Sequence, residues 1–336
     1  LISAEPFAKT TWATHIDLQT GRPVEVPGAR YEEEPAMITP GAWGAHSWHA
    51  MSYNPQTGLA YIPTQHSGFS YSDEGMELAT WQSVDYKGGF GVKLGALDEP
   101  PAETPGSLQA WDPVKQEQVW SVPQEYMWNA GTLTTAGNLV FQGRADGNLV
   151  AYNAATGEPV WTFDLGLGIS APPITYQIDG RQYLALLVGW GGGYAGLTGG
   201  AGLGWSYGMH TRRLVVFSLE GKIELPSQPP PHHSTPIQDD SFVIDEELAQ
   251  KGAALAGACS ACHGSGLIAG GMAPDLRASS IPLDLAHFSA YVREGARAAM
   301  GMPVFPDMTD EELSALMHFI RQRAEATAAA PQVGGA

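Results

Sequence analysis

The segment AYNAATGEPVW at residues 151–161 repeats in outline as AWDPVKQEQVW at residues 110–120, which lie 41 residues earlier. Looser copies are MSYNPQTGLAY at residues 51–61 and HIDLQTG at residues 15–21. Each copy is typical of a strand, an Asx-type turn closed by Gly, and a second strand that ends in an aromatic residue. A period of about 40 residues predicts propeller blades. An antiparallel sandwich with similar hairpins is the alternative, but the Trp that recurs in both best copies favours the propeller.

Composition indicates the class of protein and the kinds of partner that it can bind. At 336 residues, the chain is roughly twice the ~150-residue prior for one domain, which predicts two units. Charged residues make up 15 %, and Gly 41 and Pro 25 are abundant, as expected for many short strands joined by tight turns. The net charge of −18 disfavours binding to nucleic acid or to an anionic membrane surface, and leaves a cationic protein partner open.

Three segments follow from this pattern along the chain. Residues 1–221 are expected to form the propeller blades. Residues 222–242 form a Pro-rich linker, which is expected to be extended. Residues 243–336 change to helical periodicity and are expected to form a compact all-α domain.

Capping signals place the helices of this last domain. Asp245 is expected to cap a helix that runs through Ala256, and a second helix is expected over residues 283–295. Thr309 followed by Glu312 predicts a capping box at the start of the last helix.

The only two cysteines lie in the string ACSACHG at residues 258–264. Cys259, Cys262 and His263 form the C-x-x-C-H pattern of covalent haem c attachment, in which two thiols bind the haem vinyl groups and the His binds iron. Two other roles for the cysteines fit the sequence less well. A redox-active C-x-x-C pair would be expected near a βαβ pattern, and a zinc site would need a second pair of ligands, but the sequence shows neither. Covalent haem implies export, so a periplasmic location is expected.

The second axial ligand is predicted to be Met302. It stands in GMPVF at residues 301–305, where the following Pro keeps the backbone extended, so that a loop can present the thioether. A Met ligand raises the reduction potential of haem, whereas a second His lowers it. The remaining candidates are Met300, Met272, Met308, His287 and His318.

Three stretches carry a resemblance to a known family. They are GAHSWHAMSYNPQTGLAYIP at residues 44–63, WNAGTLTTAGNLVFQG at residues 128–143 and GWGG at residues 189–192. They resemble the quinohaemoprotein alcohol dehydrogenases, and so do the domain order and GGMAPDLR at residues 270–277. The resemblance implies an eight-bladed propeller around pyrroloquinoline quinone (PQQ) and calcium, followed by a cytochrome c domain.

The resemblance assigns few quinone contacts to this chain. The family's Asn-Trp pair falls on Ser47 and Trp48, so the Trp is kept, while a hydroxyl replaces the amide and can donate only one hydrogen bond. Trp190 and Gly191 match the stretch that approaches the cofactor from the last blade. Each Trp has packing as its alternative role, and Trp128 is expected to be structural.

Several family features have no counterpart here. About four or five blades fit before residue 221, where the family has eight. The catalytic Asp base and the calcium ligands are expected upstream, so no catalytic residue is assigned in this chain. The chain is therefore expected to be the C-terminal half of a longer protein, or one half of a split enzyme.

Two main functional hypotheses follow. The first is a PQQ- and calcium-dependent alcohol dehydrogenase that passes electrons through haem c and is inactive as this isolated chain. Its acceptor would be a periplasmic cytochrome, a blue-copper protein, or a membrane quinone reached through another subunit. The alternative is a non-catalytic c-type electron carrier on a truncated β scaffold. A third hypothesis makes the β units a docking platform for a redox partner.

Overall fold

A computed structural model describes residues 1–31, 33–75, 77, 79–80, 93–94, 105–189, 203–268 and 271–329. The chain divides into two compact units. A sheet unit comprises residues 1–189 and 212–228, and a helical unit comprises residues 190–211 and 229–336. This division confirms the predicted fold class, a partial propeller followed by an all-α cytochrome-like region.

Short antiparallel strands build the sheet unit. They are β1 (Ala13–Ile16), β2 (Pro23–Glu25), β3 (Ala36–Ile38), β4 (Ser52–Asn54), β5 (Leu59–Gln65), β6 (Phe69–Ser72), β7 (Lys93–Leu94), β8 (Gly106–Asp112), β9 (Glu117–Gln124), β10 (Thr132–Thr135), β11 (Leu139–Gly143), β12 (Asn148–Asn153), β13 (Pro159–Asp164), β14 (Ile174–Ile178), β15 (Arg181–Val188) and β16 (Arg213–Ser218).

The strands pair in the order expected of propeller blades. Two sheets have four strands, in the orders β4-β5-β8-β9 and β10-β11-β12-β13. Two others have three described strands, β14-β15-β16 and β3-β6-β7, and β1 pairs with β2 in a sheet of two described strands. Consecutive strands pair in β10-β11-β12-β13 and in β14-β15-β16, so these two sheets are local meanders, as in a propeller blade. The sheets β3-β6-β7 and β4-β5-β8-β9 alternate along the chain, because β3 pairs with β6 and β5 pairs with β8.

The repeated turn is built from local hydrogen bonds. In the four copies Asp17, Asn54, Asp112 and Asn153 accept at side-chain Oδ1 from the backbone N–H two residues on, over 2.7 to 2.9 Å. Their carbonyls accept from the residue four positions on, over 2.7 to 2.9 Å. That residue needs positive φ and is Gly in three copies. In the copy that starts at Asp112, Gln116 stands in place of the expected Gly, with φ 57°.

The recurring Trp ties one sheet to the next. Trp120 of β9 donates from Nε1 to the Ala154 carbonyl, in the turn between β12 and β13 of the neighbouring sheet, over 3.1 Å. The Tyr61 hydroxyl donates to the same carbonyl over 2.9 Å. Around them the two four-stranded sheets enclose a buried apolar core, which includes Leu59, Tyr61, Leu108, Ala110, Val140, Val150, Tyr152 and Ala154. The apolar residues of the repeat therefore fill the space between adjacent blades.

Within its described residues, the helical unit contains four α-helices with short 3₁₀ segments between them. They are α1 (Glu246–Leu255), α2 (Gly257–His263), α3 (Leu285–Val292) and α4 (Asp310–Ala329), and the 3₁₀ segments are Ser265–Leu267, Leu276–Ala278, Ile281–Leu283 and Ala298–Met300. Gly252 of α1 lies against the backbone of Ala315 in α4, where a Cβ atom would not fit. This close approach lets the two helices pack directly.

The predicted capping signals are present. Asp245 accepts from the N–H groups of Glu247 and Leu248 over 2.9 and 3.0 Å. Thr309 and Glu312 exchange the two bonds of a capping box, over 2.8 and 3.2 Å. The helix expected over residues 283–295 is shorter, because a 3₁₀ turn ends at Leu283 before the α-helix begins. Residues 221–239 have no helix or strand, as the Pro-rich composition predicts.

Candidate functional site

The C-x-x-C-H segment forms the short helix α2. Cys259 and Cys262 are free thiols, half-buried, at positions i and i+3, so both project from one side of the helix. Burial, with a smaller effect from Cys262, raises the pKa of the Cys259 thiol to about 11. A redox-active C-x-x-C pair has a lowered thiol pKa instead. The raised pKa therefore does not match a pair that exchanges disulfides, and the placement of both thiols on one side of the helix is compatible with attachment to one haem.

His263 presents one ring nitrogen only. Its Nδ1 lies 2.7 Å from the carbonyl oxygen of Pro274, which can only accept, so Nδ1 carries the proton and Nε2 holds a free lone pair. Burial lowers the pKa of His263, against smaller opposing effects of the Pro274 hydrogen bond and the Asp275 charge. A neutral imidazole with a fixed tautomer is the form that binds iron.

Hydrogen bonds between Asp275 and Arg277 close the turn after Pro274. Asp275 accepts from the Arg277 backbone N–H over 3.0 Å, and from its guanidinium over 3.0 and 2.7 Å. Both side chains are almost completely buried. This bidentate pair closes the turn immediately behind the carbonyl that orients His263.

Met302 lies where a loop can present it. The 3₁₀ segment Ala298–Met300 ends at Gly301, which has φ 90°, and Met302 follows half-buried, its N–H donating to the Arg297 carbonyl over 3.3 Å. Met300 is 64 % exposed, and its sulfur accepts from Arg297 over 3.5 Å. The sulfur of Met300, one of the other candidate ligands, therefore contacts a surface Arg.

The other rivals have different surroundings. Met308 is 3 % exposed among the core residues of the helical unit, and Met272 is half-buried. The Asp245 N–H donates to Nδ1 of His318 over 3.0 Å, and the ring of His318 lies 4.9 Å from Phe242. His287 is exposed, 3.4 Å from Asp284. Met302 as sixth ligand stays a prediction.

In the sheet unit, Ser47 and Trp48 lie in a loop that is anchored at several points before β4. His46 Nδ1 is 2.8 Å from the Pro63 carbonyl, and the Ala50 carbonyl accepts from the Thr132 N–H over 2.7 Å. Ser47 is exposed and Trp48 is 56 % exposed. The loop is thus held in place while it presents an indole ring to solvent.

Trp48 stacks on a histidine that sequence reasoning missed. The ring centroids of Trp48 and His49 are 4.3 Å apart with planes at 21°, and Trp128 meets His49 edge-on at 5.3 Å. His49 is 6 % exposed; burial, and to a lesser degree His46, lowers its pKa to about 4. Its only sequence signal was its place beside Trp48. Trp128 is buried, in keeping with the structural role expected of it.

The structure places some of the predicted residues of each site close together. Ser47 and Trp48 are adjacent, and Cys259, Cys262 and His263 share α2. Trp190 and Gly191 lie outside the described residues.

Two family models match this chain. "Glucose/ethanol/alcohol dehydrogenase, beta-propeller domain" matches residues 6–184, and "Cytochrome C oxidase, cbb3-type, subunit III" matches residues 247–320. The chain is 46 % identical over 325 residues to quinohemoprotein alcohol dehydrogenase ADH IIB of Pseudomonas putida, covering 96 % of this chain and 46 % of that protein.

Solved structures agree with these matches. Quinohemoprotein alcohol dehydrogenase ADHIIG of Pseudomonas putida superposes with a TM-score of 0.83 at 34 % identity, covering 97 % of this chain and 49 % of that one. The enzyme from Comamonas testosteroni gives a TM-score of 0.76 at 35 % identity, covering 97 % and 48 %. The chain spans about half the length of the curated relatives it matches.

Proposed function

Because the chain belongs to the β-propeller family of glucose, ethanol and alcohol dehydrogenases and carries a fused cytochrome c region, we propose that it is part of a quinohaemoprotein alcohol dehydrogenase. The proposed reaction is the oxidation of an alcohol to an aldehyde with PQQ and calcium, with electrons leaving through haem c. One observation carries the proposal. The same chain contains blades that match the dehydrogenase family and a C-x-x-C-H helix whose His263 keeps Nε2 free.

The residues of the helical unit fit haem c. Cys259 and Cys262 supply two thiols from one side of α2, and His263 supplies a neutral imidazole of fixed tautomer. Met302 would supply a thioether as the second protein ligand of the iron. When bound, haem supplies single-electron transfer, and a His/Met pair of ligands gives it a high reduction potential.

The residues of the sheet unit fit one wall of a quinone site. PQQ, when bound, accepts the two electrons removed from the alcohol. Ser47 is exposed beside Trp48 and can donate one hydrogen bond, and Trp48 is 56 % exposed with its ring stacked on His49. Trp190 and Gly191 are proposed to complete this wall.

The catalytic Asp and the calcium ligands are proposed to lie on a further set of blades. One face of the sheet β14-β15-β16 supports this proposal, since opposite residues in its register share that face and many are apolar and exposed. These residues are Ile174, Tyr176, Ile178, Leu187, Leu214 and Val216. In propellers, such faces are covered by the neighbouring blade. The isolated chain is therefore expected to be inactive.

The electron acceptor and the compartment follow from the haem. Covalent haem c places the protein in the periplasm under this proposal, where a cytochrome, a blue-copper protein, or a membrane quinone reached through another subunit would take the electrons. The charge of −18 favours a basic partner through steering that salt weakens. Within the described residues, no helix combines the length and apolar character needed to cross a bilayer.

A second candidate is an electron carrier without catalysis. It is favoured by the contrast between the two sites, because Cys259, Cys262 and His263 are all present in one helix, whereas the quinone wall is partial.

A visible spectrum separates the two candidates. The chain is produced with haem-maturation machinery, supplied with PQQ and calcium, and recorded before and after a primary alcohol is added. Reduced c-type bands that appear only with alcohol support a quinone site that assembles on this chain. Bands that respond to a chemical reductant but not to alcohol support the electron-carrier role for the isolated chain.

The same assay repeated with the remaining blades present tests the dehydrogenase itself. Alcohol-dependent haem reduction is then expected. Its absence under those conditions would contradict the proposed activity.

A further inference from the structure

A buried arginine of the last helix holds the turn behind the haem-binding His. Arg321 in α4 is 3 % exposed. Its Nη2 donates to the carbonyls of Leu276 over 3.0 Å, Ser279 over 3.3 Å and Arg277 over 3.5 Å. Its Nη1 donates to the Ile237 carbonyl over 3.4 Å. One guanidinium thus joins the last helix, the end of the linker and a single turn.

That turn carries the carbonyl that fixes His263. Pro274 accepts from His263 Nδ1 over 2.7 Å, and Asp275 and Arg277 close the turn from within. Arg321 contacts the same turn from outside. Its acceptors there are backbone carbonyl oxygens, so these contacts depend on the path of the main chain and not on the side chains of the turn. A shift of this turn relative to α4 is therefore expected to displace the Pro274 carbonyl, which lies two residues before Leu276.

The chemistry of the anchor explains why it is an arginine. A planar guanidinium offers five donors in a fixed fork, which can bridge carbonyls that point in different directions. A Lys ammonium keeps the charge but is a compact group without that fork. Burying a cation also opposes folding unless it is fully hydrogen-bonded, so this residue is a poor choice for stability alone.

We propose that Arg321 is a positioning residue for His263, acting through the turn at residues 274–279 and the Pro274 carbonyl. This inference rests on the proposed function, because it takes His263 to be an axial ligand of haem iron. Hydrogen bonding at Nδ1 makes the imidazole a stronger donor to the metal. A stronger donor stabilises the oxidised iron, so a loosened turn is expected to raise the reduction potential.

The test uses the full chain with covalent haem, as wild type and as Arg321→Lys, which keeps the charge and removes the fork. The first readout is hydrogen exchange of the His263 Nδ1 proton, followed by NMR in the reduced form. We expect exchange about tenfold faster in Arg321→Lys, which is the effect on local opening of losing about 1.4 kcal/mol of hydrogen bonding to the turn. The second readout is the midpoint potential, which is expected to shift upward.

Two further variants complete the design. Gln322→Ala is the matched control, because Gln322 is the next residue of α4 and donates to Glu246 of α1 over 2.6 Å instead of reaching the turn. It should leave exchange and potential as in wild type. Arg321→Gln is the second variant of the anchor, for use if Lys does not allow a folded haem form.

The outcomes are distinct. Unchanged exchange and potential in a haem-loaded Arg321 variant would overturn the inference, even if its unfolding midpoint falls. Loss of the folded haem form in both Arg321 variants would also overturn it, because Arg321 would then be required for folding. A wild-type chain that takes no covalent haem would instead contradict the proposed function.

Discussion

Acidification is expected to destabilise the sheet unit through His49. The imidazole is buried between Trp48 and Trp128 and stays neutral in the folded chain down to a pKa of about 4, whereas an unfolded chain takes the proton near ~6.5. The unfolded state therefore binds more protons between these values. The stabilisation that neutral His49 contributes is complete above pH ~6.5 and is lost as the pH drops toward 4. At pH 5 the loss from this one group is about 2 kcal/mol.

The assay is urea unfolding followed by tryptophan fluorescence, at pH 7 and at pH 5, for wild type and His49→Phe. Phenylalanine keeps a ring against Trp48 but cannot take a proton. Burial also lowers the pKa of His66, but this effect is common to both proteins and cancels in the comparison. Wild type should lose about 2 kcal/mol more than the variant between the two pH values. Equal losses would refute the assignment of acid sensitivity to His49.

Three further predictions concern turns, ligation and capping. Gly58→Ala and Gly157→Ala both force a side chain to positive φ, at 71° and 75°, but only the second places Cβ 2.7 Å from the Trp120 ring. Urea unfolding should show a further loss of about 1–3 kcal/mol for Gly157→Ala, and equal losses would contradict the packing of Trp120. Met302→Ala should lower the haem potential in a redox titration, and an unchanged potential would exclude this ligand. Thr309→Ala should cost about 1 kcal/mol of the free energy of unfolding measured through the haem band, and no loss would show that the capping box does not stabilise the folded chain.

Local patterns were predictable because their partners are close in sequence. The repeated turn needs only an Asn or Asp and a residue of positive φ four positions on, and Asn153 with Gly157 supplies both. The same holds for the capping box of Thr309 and Glu312, and for the spacing of Cys259 and Cys262. In one copy Gln116 stands where Gly was expected, since the turn hydrogen bonds still form around a non-Gly residue at φ 57°.

Long-range placement was not predictable. Nothing beside His49 in sequence shows that Trp128 packs edge-on against it. The sequence favoured Met302 through the Pro that follows it, and the structure adds that Arg297 engages the sulfur of Met300. Both facts depend on chain segments that meet only after folding.

The sequence by itself determined the two-part architecture, the haem-binding motif and the class of the sheets, because strand period, turn residues and C-x-x-C-H spacing all act over a few residues. Only the tertiary structure decided which histidine is buried neutral under Trp48, and which arginine reaches the turn that orients His263. Arg321 contacts Ile237, 84 residues away in sequence. Such a contact depends on how helices and loops pack, because a side chain's burial and hydrogen-bond partners are set by distant segments and leave no period in the sequence.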